Sequence, residues 1–316
     1  MKPMTATGEL AQSDRTAAVD PAAVTEDGGH GLSPASIARR RARSHTGLQI
    51  GCFIILAIAI IALLAPWLSP FDPYAQNLAE RLLPPVWVNG GNWTHLLGTD
   101  HLGRDYLSRL LYGARVSLGI GFGAASIGCV IGVALGLLAG YFGGRIDQVI
   151  NFVLNCKLAM PHLLLIMALV FVLGPSVTVV VVVIGMTHWT FYLLVTRATT
   201  LQLRELDFVA AARAIGCSRL QIMLREILPN VANQIIVIFT LEVGNAMLSE
   251  AALSFLGLGV PAPIPSWGLM IAEGKAAMFF RPWLVVIPGI ALFVLVIAIN
   301  LLGDGIRDVT APDRRT

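Results

Sequence analysis

From residue 116 to residue 144 the chain carries no Asp, Glu, Lys or Arg. A run that long and that apolar suits a bilayer, where about 20 helical residues cross the ~30 Å hydrocarbon layer. Comparable runs occupy 47–68, 147–173, 177–195, 229–253 and 282–302. Lipid offers the backbone no hydrogen-bond partner, so each run must satisfy its own groups as a helix. That decides the β-branched stretch 179–184, which in water would suggest a strand. Composition agrees: 13% of residues are charged and the mean hydropathy is +0.74, against about 25% charged in soluble domains. The expectation is an all-α integral membrane protein of six transmembrane helices, the third bent at Pro161, where proline removes a backbone donor.

The polar stretches organise the rest. Residues 1–45 lack apolar periodicity and read as a disordered tail ending in Arg39, Arg40, Arg41 and Arg43. The apolar run that follows is too long and too far from the start for a cleaved signal peptide. Residues 69–112 form a polar loop, 257–281 a Gly/Pro-rich loop, and 303–316 a short polar tail. With the N-terminus inside, fifteen Lys and Arg fall on the inner side and six on the outer, with Lys157 inside a span. The positive-inside rule then puts both termini in the cytoplasm. The basic residues are not massed in one patch, which speaks against nucleic-acid binding. Cys52, Cys129, Cys156 and Cys217 lack CxxC spacing and read as small fillers.

Ala124, Gly128, Gly132, Gly136 and Gly140 recur every four residues in the second span, on one helix face. Small residues there let another helix approach closely. The most informative segment is 206–229. Asp207 to Ile215 contains strong helix formers, Gly216 suits a left-handed stop, and Ser218 with Gln221 matches a capping box for a second short helix. Pro229 then opens the fifth span.

This segment resembles the EAA loop of ABC-importer permeases. Ala210, Ala211 and Ala212 stand for its small-residue triplet, Gly216 for its glycine, and Glu226-Ile227-Leu228-Pro229 for its ending. Two positions depart from the pattern: the usual first Glu is Ala210, and the usual apolar residue is Glu226. Residues 98–105 with Ser108 and Arg109, Glu250 with 253–259, 265–268, and 300–308 are similar to motifs of the C-type subunit of the dipeptide/oligopeptide/nickel permeases.

The resemblance implies a type I ABC-importer permease fold in the bacterial inner membrane. Its N-terminal region would span 46–112 and its transmembrane domain 113–303, with a tail at 304–316. It also implies that Ala210, Ala211, Ala212, Arg213, Gly216, Ser218 and Arg219 form the loop through which an ATPase drives the spans. Gly98, Thr99, Asp100, Gly103, Arg104 and Asp105 would belong to the outer-loop motif. The implied partners are a second homologous permease, two ATP-binding subunits and an extracytoplasmic solute-binding protein. ATP and Mg²⁺ would be bound by those ATPase subunits, and this chain is expected to hold no cofactor or metal.

Ionisable groups inside a membrane mark paths or partners, because each costs about 2.5–3.5 kcal/mol at the bilayer centre. Glu242 and Asn245 are therefore read as facing the translocation path or the partner permease, with Met160, Pro161 and Glu250 as further path residues. A peptide's amino terminus suits the Glu242 carboxylate, and a structural bond suits it equally. Lys157 reads either as pairing with a carboxylate of the other permease or as reaching the interface. His162 and His188 read as isolated polar packing residues, since neither has a second ligand at i+4.

Nothing resembles GxxxxGK[ST], and Gly274-Lys275 continues into Ala276. GxSxG and HExxH are absent too, which removes the usual signals of a membrane hydrolase. The expected function is a non-enzymatic permease subunit for dipeptides or oligopeptides. Nickel-chelate, glutathione or opine import by the same permease type is the alternative, followed by a stand-alone secondary carrier.

Overall fold

The computed structural model describes residues 42 and 44–310. Most of the tail 1–45 and residues 311–316 lie outside the described residues. Among the described residues, ten helices carry the fold: α1 Thr46–Leu68, α2 Tyr106–Phe142, α3 Gly144–Leu158, α4 His162–Leu173, α5 Val177–Thr187, α6 Thr190–Leu203, α7 Asp207–Ala214, α8 Arg219–Phe255, α9 Trp267–Gly274 and α10 Trp283–Thr310. The described residues contain no strand, only an isolated bridge between Thr99 and Asp105.

Five helices are long and apolar enough to cross a membrane: α1, α2, α5 with α6, α8 and α10. A sixth span exists if α3 and α4 are counted together. That pair breaks at the expected bend, Pro161, and sharply enough to make two helices. The helices meet at 89°. The cause is local: Pro161 has no N–H to donate, and the residue before a proline is pushed out of the helical region. Twelve residues of α4 reach only about 18 Å, too short to cross a bilayer alone.

Other boundaries move for physical reasons. The second span starts at Tyr106 rather than Val116, because Arg109 and its neighbours are buried in ion pairs and do not end the helix. The last helix runs on to Thr310, past the expected polar boundary. Residues 267–274 of the expected loop are helical, started by Ser266, whose Oγ accepts the Leu269 N–H at 3.0 Å.

The second short helix of segment 206–229 is not separate either. It continues into α8 through a π-helical turn, Ile222–Ile227. There the Leu228 N–H reaches back to the Met223 carbonyl, five residues away. This widened turn carries the helix past Pro229, which lacks a donor of its own.

α2 lies at the centre and packs on α6, α5, α8 and α1. Its stripe of small residues meets α5 and α6 of the same chain. A Cβ at Gly132 would sit 2.3 Å from the Trp189 carbonyl oxygen, so only glycine allows this approach. α1 lies along α10. His45, which caps α1, is 3.1 Å from Asp308, so the two ends of the bundle's chain share one face. Asn230 and Gln234 of α8 share a surface pocket with Arg307 and Thr310, so the α7–α8 hairpin opens onto that same face. Large apolar side chains remain on the outside, among them Phe53, Trp67, Phe171 and Val172, as suits a surface solvated by lipid.

Candidate functional site

Three constellations stand out, at the two ends of the bundle and in its middle. At the shared face, α7 ends on Gly216, whose φ of +86° is the left-handed stop. The Cys217 N–H returns to the Ala212 carbonyl at 3.0 Å, closing the turn. Ser218 Oγ then accepts the Gln221 N–H at 3.2 Å and starts α8.

Ala210, Ala211, Arg213, Gly216, Ser218 and Arg219 are exposed on this hairpin. Ala212 is buried and packs with Val209 against Leu137, Ile222, Ile227 and Val231, so it holds the hairpin down rather than facing a partner. The Arg213 and Arg219 guanidiniums sit over the Tyr141 and Phe142 rings at 5.6 and 5.8 Å. They thereby join the hairpin to the end of α2. Ile215 is 80% exposed at its tip.

In the middle of the bundle, a cavity of about 550 Å³ opens between the α3–α4 break, the α5–α6 joint and α8. Its polar lining consists of a network centred on Glu242 and His188 and a separate Lys157–Thr190 pair. The Glu242 carboxylate accepts from His188 Nδ1 at 2.6 Å and from Asn245 Nδ2 at 3.1 Å. With Nδ1 protonated, His188 Nε2 is an acceptor, and it receives His162 Nε2–H at 3.1 Å. Ser249 Oγ lies 3.3 Å from the same nitrogen. Lys157 Nζ donates to Thr190 Oγ1 at 2.7 Å.

These contacts revise four sequence expectations. His162 and His188 are not isolated: tertiary folding brings them together across 26 residues. Lys157 finds a hydroxyl of its own chain. Glu242 and Asn245 line the cavity, and each Glu242 oxygen has a donor from the same chain, so the carboxylate also makes structural bonds. Glu250 lies elsewhere. It is buried, it accepts from Ser254 Oγ at 2.7 Å and Ser266 Oγ at 2.9 Å, and it folds the loop after α8 back onto that helix. Met160 and Pro161 are exposed in the break, next to the cavity residues Lys157 and Leu158.

At the opposite end, residues 98–105 form a buckle. Asp100 Oδ1 accepts the Leu102 and Arg104 N–H groups at 2.8 and 3.0 Å. Its Oδ2 takes Arg104 Nε at 2.6 Å and also Arg109 Nη1. Both arginines reach on to Glu273 of α9, at 3.0 and 2.7 Å. Burial pushes the Asp100 carboxyl upward, but Arg109, Arg104 and the two backbone N–H groups outweigh it and hold the group below its usual range.

Thr99 Oγ1 accepts the Leu83 N–H at 2.9 Å and donates to the Glu80 carbonyl. Asp105 takes His95 at 2.8 Å and caps α2 through Ser108. Gly98 and Gly103 turn at positive φ, and a Cβ at Gly103 would overlap the Asn77 carbonyl. Asp100, His101 and Glu273 stand close enough to share a metal ion. Both carboxylates are already neutralised by arginines, so the cluster is a set of ion pairs.

Sequence reasoning missed the partners. Glu273, the His162–His188 contact and the bidentate Arg197–Asp147 pair at 2.5 and 2.7 Å all join residues far apart in the chain. The one available signal was the presence of ionisable residues inside apolar runs.

Comparison with known proteins follows the same lines. Residues 132–316 match the family described as binding-protein-dependent transport system inner membrane component. Residues 33–85 match the N-terminal TM domain of oligopeptide transport permease C. The dipeptide transport system permease protein DppC of Haemophilus influenzae is 41% identical over 270 residues, 85% of this chain and 92% of that protein. The di/tripeptide transport system permease protein DppC of Pseudomonas aeruginosa is 42% identical over 262 residues, 83% and 86% of the two chains. The glutathione transport system permease protein GsiD of Escherichia coli is 40% identical over 274 residues, 87% and 88%.

Among solved structures, the MetNI methionine ABC transporter in inward facing conformations superposes with a TM-score of 0.53. The match has 18% identity and covers 64% of this chain and 97% of that one, a likeness of fold. With an all-helical bundle, apolar spans and these matches, the chain belongs to the binding-protein-dependent transport system inner membrane component family and is an ABC-importer permease.

Proposed function

We propose that this chain is one of two permease subunits of an ATP-driven importer of dipeptides or oligopeptides in the bacterial inner membrane. The observation that carries the peptide reading is the 41–42% identity to two peptide permeases over most of both chains. A glutathione cargo is the second reading, favoured by the relative GsiD.

The α7–α8 hairpin is the coupling element in this reading. It offers an exposed apolar tip at Ile215, and Arg213 and Arg219 tie it to the base of α2, so a push on it is passed to the central helix. ATP and Mg²⁺ belong to two partner ATPase subunits, and an external binding protein delivers the solute to the opposite face. The hairpin, the start of α1 and the end of α10 face the cytoplasm, since that face collects most of the basic residues. The solute passes along the Glu242–Asn245 cavity, beside the α3–α4 break.

Reconstitution tests this directly. The complete importer should take up labelled dialanine only with ATP and the binding protein present. Flux of dialanine through this chain alone would overturn the importer reading.

A further inference from the structure

Two fixed charges line the membrane cavity, Lys157 and Glu242, and their situations differ. Glu242 is 3% exposed, and both of its oxygens have donors. Lys157 has one neutral partner, Thr190 Oγ1. An ammonium has three N–H donors, so the single hydroxyl leaves its donor set unfilled. No carboxylate among the described residues forms an ion pair with it; Glu242 acts on it only across the cavity and is hydrogen-bonded to His188. The C-terminal end of α3 offsets part of the charge through its partial negative potential, and no more than part.

A cation in this position calls for an anion. The cavity's size, about 550 Å³, lies within the ~300–1,000 Å³ range of small-molecule sites. Leu158, Leu163, Phe191 and Leu248 give it apolar walls. The right-angle break of α3–α4 begins one residue after Leu158, so Lys157 stands where the wall of the cavity is interrupted.

We infer that Lys157 is a specificity-determining residue that receives the carboxylate of the transported solute, with the apolar walls around the solute's side chains. This rests on the peptide reading above and deepens it: the required feature of the cargo is its free acid. The same carboxylate chemistry can also come from an acidic side chain of the second permease, and the experiment separates the two sources.

The assembled importer, with both permeases and both ATPases in lipid nanodiscs, is challenged with labelled dialanine and competed with dialanine or its C-terminal amide. The wild-type complex should prefer the free acid by about tenfold or more, as expected for a charge-assisted bond. Lys157→Met should erase that preference, and Lys157→Arg should keep it. An equal preference in wild type and Lys157→Met overturns the inference. So does an equal weakening of both ligands, which marks a carboxylate of the partner permease. If Lys157→Met does not assemble, Lys157→Gln, which retains a donor for Thr190, is judged by the same criteria. ATP-driven uptake of dialanine by the wild-type importer reports on the peptide reading separately. Its absence overturns that reading and this inference together, whereas uptake with an unchanged acid preference overturns the inference alone.

Discussion

The 98–105 buckle and the cavity both bury charge, yet they close their accounts differently. In the buckle, two arginines meet two carboxylates, every acid oxygen has a donor, and the formal charges cancel within one chain. In the cavity, each oxygen of the acid has one donor, from His188 or Asn245, while the cation has only a hydroxyl. The first arrangement suits an element that must hold its shape. The second leaves an unsatisfied site beside empty volume and a broken helix, which suits an element that exchanges partners. What separates the two regions is the pairing of opposite charges, not the filling of every donor, since Arg104 Nη1 and Arg109 Nε and Nη2 are buried without a partner too.

Four substitutions and conditions probe this contrast. Arg109→Ala should have the largest effect on stability, about 3–5 kcal/mol, because it removes one of the two buried cations that balance Asp100 and Glu273 and leaves Arg104 to serve both. Thermal unfolding of the purified complex checks it, and loss of the α9–buckle contact should show as proteolysis of the outer loop. His188→Ala should cost less, about 1–3 kcal/mol, since Glu242 keeps Asn245 but loses its shortest bond. Transport should fall by more than stability does. A variant with full uptake would remove His188 from the path.

Lys157→Met should change stability by under about 1 kcal/mol in either direction, because no ion pair is broken. A loss comparable to that of Arg109→Ala would erase the distinction between the two regions. Acidification should have the smallest effect near neutral pH. Asp100 is held below its usual value, so its contribution is complete above about pH 4 and is lost as pH falls through its lower folded value. Hydrogen exchange in residues 98–105 should stay flat from pH 7 to 5 and rise only at lower pH.

Much of the architecture was legible from residue order. Spans appear as charge-free runs because lipid forces apolar side chains outward. The helix–Gly–helix hairpin was readable because Gly216 and Ser218 act through bonds to residues within a few positions. The extent of α2 was not readable, because Arg104 and Arg109 look like loop charges until Glu273 arrives from α9. Glu250 misled for a related reason: a carboxylate in an apolar run signals a buried partner, but not whether that partner is solute or serine.

What the sequence determined by itself is the set of properties that depend on neighbours along the chain: the number of apolar runs, the break at Pro161, the hairpin and the motifs of the family. The tertiary structure alone decided which charges are satisfied. It placed His162 against His188, closed Glu242 with two donors and left Lys157 facing a cavity with a hydroxyl for company. The reason is physical. A helix signal is local and repeats every few residues, whereas the compensation of a buried charge depends on distance in space, and helices bring together residues whose separation in sequence says nothing about it.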